Sequence, residues 1–431
     1  MNIKSKKICL SKLTFILCTA VCSCSRFGGI YINMFFNFGV AIMWMIISVA
    51  KFKHHKEYRI IGKKHFKLAA MPIILMVFFT LINWQFNSTV ELTVRYYTRL
   101  ISTASYYILA LLYAYLGFCV FGKKVLDYLW EGLVLSYLFG SIIAGVIMYG
   151  PINVFIYLVF QSDTSPLNRV FEVHDITFAF GFYFLYYLFF ADRFKANHRR
   201  YKLFVTVLFL YFGLKRIEIA ALVVTFIAFY VIGRRYKDIS VKSKVLSCAM
   251  ITISFTYIWL IYSNALTALA ERLGINFMGR LTTYEYMTRF FDFSPNFMGL
   301  GYSYVNKLIE KLQSQGVIYK GWRLITGLHS DILKKYIEIG FFPFIIWVWY
   351  SIVTRTNALS KYFSKSVAVM YLLSTVYMFV LYFTDNVFEY FVTTMIYFAI
   401  PLGMSTNYAS NKLCTEVHST RSLEEVNINV K

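Results

Sequence analysis

The chain has 431 residues, 58% hydrophobic and 20% aromatic, with a formal net charge of +23. Soluble domains carry about 25% charged residues and this chain carries 15%, which argues against a soluble globular class. The positive charge does not indicate nucleic-acid binding: Lys and Arg sit in short loops between apolar runs, the positive-inside pattern of a membrane protein in contact with anionic lipid headgroups.

Apolar runs of roughly 18 residues or more recur along the chain and predict an all-α polytopic integral membrane protein. A β-barrel would instead show short alternating segments. The N-terminal MNIKSKK and the apolar run after it resemble a signal sequence, but no small-residue cleavage site follows and more spans do. An uncleaved first span is expected. Twelve spans are expected near residues 8–25, 28–50, 68–86, 98–121, 132–149, 175–191, 203–214, 219–233, 245–262, 337–353, 366–384 and 388–404. The loops after even-numbered spans are basic. Residues 51–67 carry seven Lys and Arg, while 192–202 and 234–244 carry five each. Both termini are therefore expected in the cytoplasm. Seven cysteines fall mostly inside apolar runs. Cys22 and Cys24 have no second pair and no nearby histidine, so they read as small buried hydrophobes.

Two segments depart from simple crossings. Gly150–Pro151 breaks a long apolar stretch, and residues 151–160 are expected to be re-entrant or interfacial. Residues 203–233 form one apolar stretch interrupted by Lys215, Arg216, Ile217 and Glu218. As a single helix it would span roughly 46 Å, too long for a bilayer core of about 30 Å. Two short passes turning at KRIE keep both basic loops on one side.

The chain divides into membrane helices over 1–262, one large external loop between spans 9 and 10 over 263–335, further helices over 336–404 and a cytoplasmic tail over 405–431. In the loop, ALTALAERLG and NKLIEKLQSQG read as short helices flanking GRLTTYEYMTRFFDF and the Gly-rich turn SPNFMGLGYS. External cations are the exceptions to the positive-inside rule. They include Arg169, Lys215, Arg216, Arg280 and Arg289. Lys307, Lys311 and Lys320 read as solvated loop charges. Arg216 lies in a turn with almost no loop around it, and Arg makes forked bonds to phosphate oxygens that Lys cannot copy. A cationic cluster at the outer face suits a lipid-linked pyrophosphate. Of seven histidines, His174 and His329 face outward. His329 precedes Asp331 and Glu338 in GLHSDILKKYIEIG, at the foot of the apolar run FFPFIIWVWY. Ionisable groups at such a boundary mark a site or a partner. His329 suits a general base or a hydrogen-bond donor. No nucleotide loop, dinucleotide fingerprint, HExxH or GxSxG is present.

The order of elements resembles the O-antigen and capsular polysaccharide polymerases (Wzy-type) and, more distantly, the O-antigen ligases. The elements are Lys215–Arg216, then Gly279–Arg280 with Tyr284, then Gly299-Leu300-Gly301-Tyr302, then His329-Ser330-Asp331-Ile332-Leu333 with Glu338 and Gly340. Lys215 stands where Ser is common, and Ser330 where Asn is common. The resemblance implies inverting, metal-independent glycosyl transfer at the outer face of the plasma membrane, from undecaprenyl-pyrophosphate-linked glycans and without a cofactor. It implies that Arg216 and Arg280 neutralise the pyrophosphate, that His329 activates or orients the acceptor hydroxyl, and that Glu338 orients His329 or caps the site. Lys215, Arg289, Tyr284, Arg169 and Asp331 are the expected substrate contacts, and a chain-length regulator protein is an expected partner. Two alternatives stay open: an O-antigen ligase, which accepts a lipid A core, and a lipid-linked oligosaccharide flippase. A flippase is expected to show two similar halves and short external loops, and neither is visible.

Overall fold

The structure, a computed structural model, describes all residues except 1–2, 33, 52–55, 87–92, 162–164, 193–197, 214, 234–237, 276–278, 324–326 and 407–431. Of the described residues 83% are helical. Beyond Thr406 the expected polar tail lies outside them.

The first helix is α1 (Ile3–Ser23). Residues 26–31 then form a small antiparallel hairpin, turning through Gly28 and Gly29 at φ +58° and +89°. The double glycine permits that turn, so α2 (Met34–Lys51) starts well after residue 28. α3 (Lys56–Phe86) extends the expected third span with a basic stem. α4 (Val94–Phe121) reaches Gly122, whose φ of +57° separates it from α5 (Val125–Tyr137). A π-helical stretch, Leu138–Ile143, leads into α6 (Ala144–Tyr149). Gly150 at φ +83° and Pro151 then open a separate helix, α7 (Pro151–Phe160). At about 1.5 Å per residue it is roughly 15 Å long, half a bilayer core.

After α8 (Asn168–Phe171) and α9 (His174–Phe189), the 203–233 stretch divides as its charges suggest. α10 (Arg199–Gly213) stops and α11 (Arg216–Ala228) restarts at the KRIE turn. α12 (Ile239–Tyr262) leads into the long loop. That loop carries α13 (Ala265–Arg272), α14 (Arg280–Met287), α15 (Tyr304–Ser314) and a two-stranded turn over residues 318–323. The α15 helix buries Val305, Leu308, Ile309 and Leu312, one face of an amphipathic repeat.

The tenth span, expected over 337–353, starts instead at Phe341, the first residue of the apolar run FFPFIIWVWY. Residues 331–339 form a short buried helix, α16 (Asp331–Ile339), which stops at Gly340 with φ +81°. The next helical run starts at Phe341 through α17 (Phe341–Trp349) and continues to the end of α18 (Arg355–Tyr362). α19 (Lys365–Tyr382) and α20 (Phe391–Met404) close the chain.

Among the described residues, four helical stretches are long and apolar enough to cross a membrane: Glu57–Phe86, Val94–Tyr149, Ile239–Tyr262 and Lys365–Tyr382. The last is central, with Tyr371 and Tyr377 fully buried, and packs against α9, α11 and α20. The outer helices instead present apolar side chains outward. Phe78, Phe79, Ile101, Phe204 and Ile253 are each more than half exposed. Such a surface suits hydrocarbon better than water.

The Gly299-Leu300-Gly301 turn is a strap. Leu300 N–H donates to the Ile337 carbonyl at 2.9 Å and Gly301 N–H to that of Glu338 at 2.7 Å. Asn83 and Trp84 on α3 donate to the carbonyls of Gly299 and Leu300, each at 2.7 Å. Gly299 has φ +82°, and a Cβ there would fall 2.5 Å from the Gly340 nitrogen. Neither that nitrogen nor the Glu338 carbonyl oxygen at 2.6 Å can yield, since both are backbone. Gly299→Ala is expected to destabilise the fold by at least about 1–3 kcal/mol, read as a lower Tm of the purified protein. An unchanged Tm would remove the strap from the account.

Candidate functional site

Five side chains from four parts of the chain meet at the end of the bundle where α9 and α11 begin and α19 passes to α20. His174 opens α9, Lys215 precedes α11, His329 precedes α16 and Asp385 occupies the turn after α19. Glu172 bridges two of them. It pairs with Lys215, and its Oε1 lies 3.4 Å from His174 Nε2. The other ring nitrogen, His174 Nδ1, lies 3.3 Å from Asp385 Oδ2. His329 Nδ1 lies 4.0 Å from Asp385 Oδ1, longer than a hydrogen bond but within the looseness that unliganded catalytic pairs show. A continuous series therefore runs Lys215–Glu172–His174–Asp385–His329.

Asp385 is fixed from several sides. Its Oδ1 accepts from the Asn386 N–H and the Tyr390 hydroxyl, each at 2.8 Å, and its carbonyl accepts from the Asp331 N–H at 3.3 Å. Burial acts to raise its carboxyl. The His174 and His329 imidazoles and the Tyr390 hydroxyl outweigh burial and hold it well below the usual carboxylate range. Glu172 follows the same logic: burial raises it, but His174 and Lys215 bring it down to about 2. Both acids are thus carboxylates at neutral pH, suited to orienting an imidazole.

His329 has a left-handed backbone, φ +48°, a conformation non-glycine residues adopt only when their surroundings enforce it. Tyr284 supplies part of that enforcement, donating its hydroxyl to the His329 carbonyl at 3.1 Å. Two residues upstream, Gly327 packs closely on the same turn: a Cβ there would fall 2.6 Å from Asn386 Nδ2. Arg280, at the first turn of α14, donates from Nη1 to the Thr384 carbonyl at 3.0 Å, beside Asp385. The His329 side chain is 30% exposed, so the imidazole can be reached from outside.

Of the residues expected from sequence, His329, Tyr284 and Arg280 thus gather around Asp385, and Lys215 joins them through Glu172 and His174. Arg216 is exposed at the first turn of α11, next to Lys215. Glu218 of the same KRIE turn points inward instead, with its Oε1 3.1 Å from the Tyr377 hydroxyl. Asp331 and Glu338 lie in a second, buried cluster. Glu338 does not orient the histidine; its Oε2 accepts from Lys335 at 2.8 Å, with the side chains 0% and 1% exposed. Lys335 stacks over the rings of Tyr302 and Phe388 at 4.2 and 4.4 Å. Lys334 pairs with Glu389, which also accepts from Asn306. Asp331 is fully buried, and its Oδ2 accepts from the Phe388 N–H at 2.7 Å. It braces the turn that carries Asp385, from beneath. Arg289 lies between the Tyr286 and Tyr319 rings, 4.9 Å from each centroid, where it staples α14 to the 318–323 turn. Arg169 is exposed on α8, and its carbonyl accepts from Arg26 at 3.2 Å. Among the described residues, no group of three His, Cys, Asp or Glu converges as metal ligands.

Burial raises the Asp331 carboxyl to about 7, against the pull of Lys334 and Lys335. The native state therefore keeps this proton to higher pH than the unfolded chain. Stability from this group is complete below the unfolded value of 3.8 and is lost as pH rises through about 7. Asp331→Asn stays neutral and keeps an oxygen for the Phe388 N–H. Its Tm is expected to exceed that of the wild type above pH about 7 and to converge with it near pH 4. A constant Tm difference across that range would contradict the assignment.

No family model matches the chain, and no curated protein matches it.

Proposed function

We propose that the chain is a polytopic membrane glycosyltransferase of about twelve spans. It polymerises undecaprenyl-pyrophosphate-linked repeat units into O-antigen or capsular polysaccharide at the outer face of the plasma membrane. The observation that carries the reading is the gathering of Arg280, Tyr284 and His329 at the Asp385 turn, with Lys215 joined to it through Glu172 and His174. These residues belong to sequence elements up to 114 positions apart, from Lys215 to His329, and their order is that of the polymerases.

In this reading the acceptor hydroxyl attacks the donor's anomeric carbon from the face opposite the pyrophosphate. The new carbon–oxygen bond forms as the bond to the pyrophosphate oxygen breaks, which inverts the centre. His329 takes the hydroxyl proton, and Asp385 stabilises the imidazolium that results. Arg280, Arg216 and Lys215 offset the charge growing on the leaving pyrophosphate, a fixed field that needs no rearrangement during the reaction. Both termini face the cytoplasm, and a chain-length regulator protein sets polymer size.

The test is a glycan profile of cells lacking this chain, comparing surface polysaccharide with extracted lipid-linked intermediates. Single lipid-linked repeats outside, or surface material with one repeat unit, is the expected result. Repeats held on the cytoplasmic side would point to a flippase. Long polymer that never reaches its anchor would point to a ligase.

A further inference from the structure

The described residues include four buried cations: Lys202, Lys334, Lys335 and Arg355. Three have a carboxylate partner, namely Asp127, Glu389 and Glu338. Arg355 has none among the described residues. It is 7% exposed, its Nε lacks a hydrogen-bond partner, and its charged end faces the Tyr371 and Tyr397 rings at 4.6 and 5.7 Å. Ring faces attract a cation but carry no net charge to cancel it, and a buried charge left uncompensated is strongly unfavourable.

Arg355 also lines a cavity of about 20 Å³ between α17, α18 and α19, together with Pro72, Tyr107, Ser351, Thr375 and Tyr397. A space of that size admits one water-sized occupant. It is too small for a phosphate or a lipid headgroup. We propose that this cavity binds one small monovalent anion of halide size, which supplies the missing counter-charge. The guanidinium presents N–H groups for it, and the Ser351 hydroxyl lies on the same wall. Tyr107, Tyr397 and Trp347 line the remaining sides. The site is separate from the His329 cluster and does not depend on the polymerase reading.

The test is thermal unfolding of the purified full chain in detergent, followed by tryptophan fluorescence. Sodium chloride, sodium bromide and sodium gluconate are compared at one ionic strength. Chloride and bromide are expected to raise Tm by a few degrees with a saturable dependence, because a ligand bound only to the native state stabilises it. Gluconate is too large to enter and is expected to leave Tm at its anion-free value. Ser351→Val fills the cavity while keeping Arg355, and is expected to erase the chloride–gluconate difference. Arg355→Met is expected to erase it too, and Ser351→Val carries the test if that variant does not fold. Equal Tm for the wild type in chloride and gluconate would overturn the proposal, leaving a cavity that holds water. A chloride effect that persists in Ser351→Val would also overturn it, because the effect would then belong to the surface charge.

Discussion

Alanine at His329 is expected to slow glycan transfer by about 10²–10⁴-fold, the range that a positioned general base contributes. In cells the loss should reproduce the pattern of the full deletion, with single repeats in place of polymer, while the variant is present in the membrane at normal amount. The expectation rests on position: His329 ends the Lys215–Glu172–His174–Asp385–His329 series with its side chain 30% exposed. Asp385→Asn is the companion variant. It keeps the size of the side chain but removes the charge that would stabilise an imidazolium. A positioning role predicts a partial loss in rate with acceptor KM little changed, and because the native fold favours the ionised form of Asp385 the Tm is expected to fall as well. Wild-type polymer length from His329→Ala would end the proposal that this histidine takes the proton.

The second large effect concerns stability. Lys335→Met is expected to cost about 3–5 kcal/mol, the usual penalty for stranding one partner of a buried ion pair. Its partner Glu338 is 0% exposed at the side chain, and one of its oxygens already lacks a hydrogen bond. Removing the lysine leaves that carboxylate without its direct partner, since Lys334 pairs with Glu389. Lys335→Met combined with Glu338→Gln is expected to recover most of the loss, since neutral groups of similar shape can replace a buried pair at little cost. Thermal unfolding of the two variants beside the wild type decides the matter. A single variant as stable as the wild type would mean that water reaches Glu338.

Much of this arrangement was legible in the amino-acid order, and the remainder was hidden for identifiable reasons. The apolar runs gave the helical class, and the KRIE interruption gave the break between α10 and α11. Gly150–Pro151 announced α7. His329 stood out because a histidine before an apolar run is costly. Its partner did not. Asp385 lies in TDN, a turn of a few residues between two apolar helices, with no spacing pattern around it. The available signal was the density of polar groups there: Asp385, Asn386 and Glu389 fall within five residues of the last outer turn. Glu338 was misleading because proximity along the chain suggested a partner for His329. The α16 helix carries its side chain toward Lys335, one turn away, instead. The glycines at 299 and 301 read as a Gly-rich turn of the external loop. Their positive φ angles and contacts with Trp84 and Gly340 make them part of the strap, a constraint visible only once α3 and α16 are in place.

The turn between α19 and α20 sets an order of events during synthesis. Glu172, His174, Lys215, Arg280, Tyr284 and His329 all leave the ribosome before Asp385 does. A nascent chain halted at any earlier codon can insert most of its helices, yet it lacks the acid that aligns both histidines. Incomplete copies therefore lack the assembled cluster of His174, Asp385 and His329.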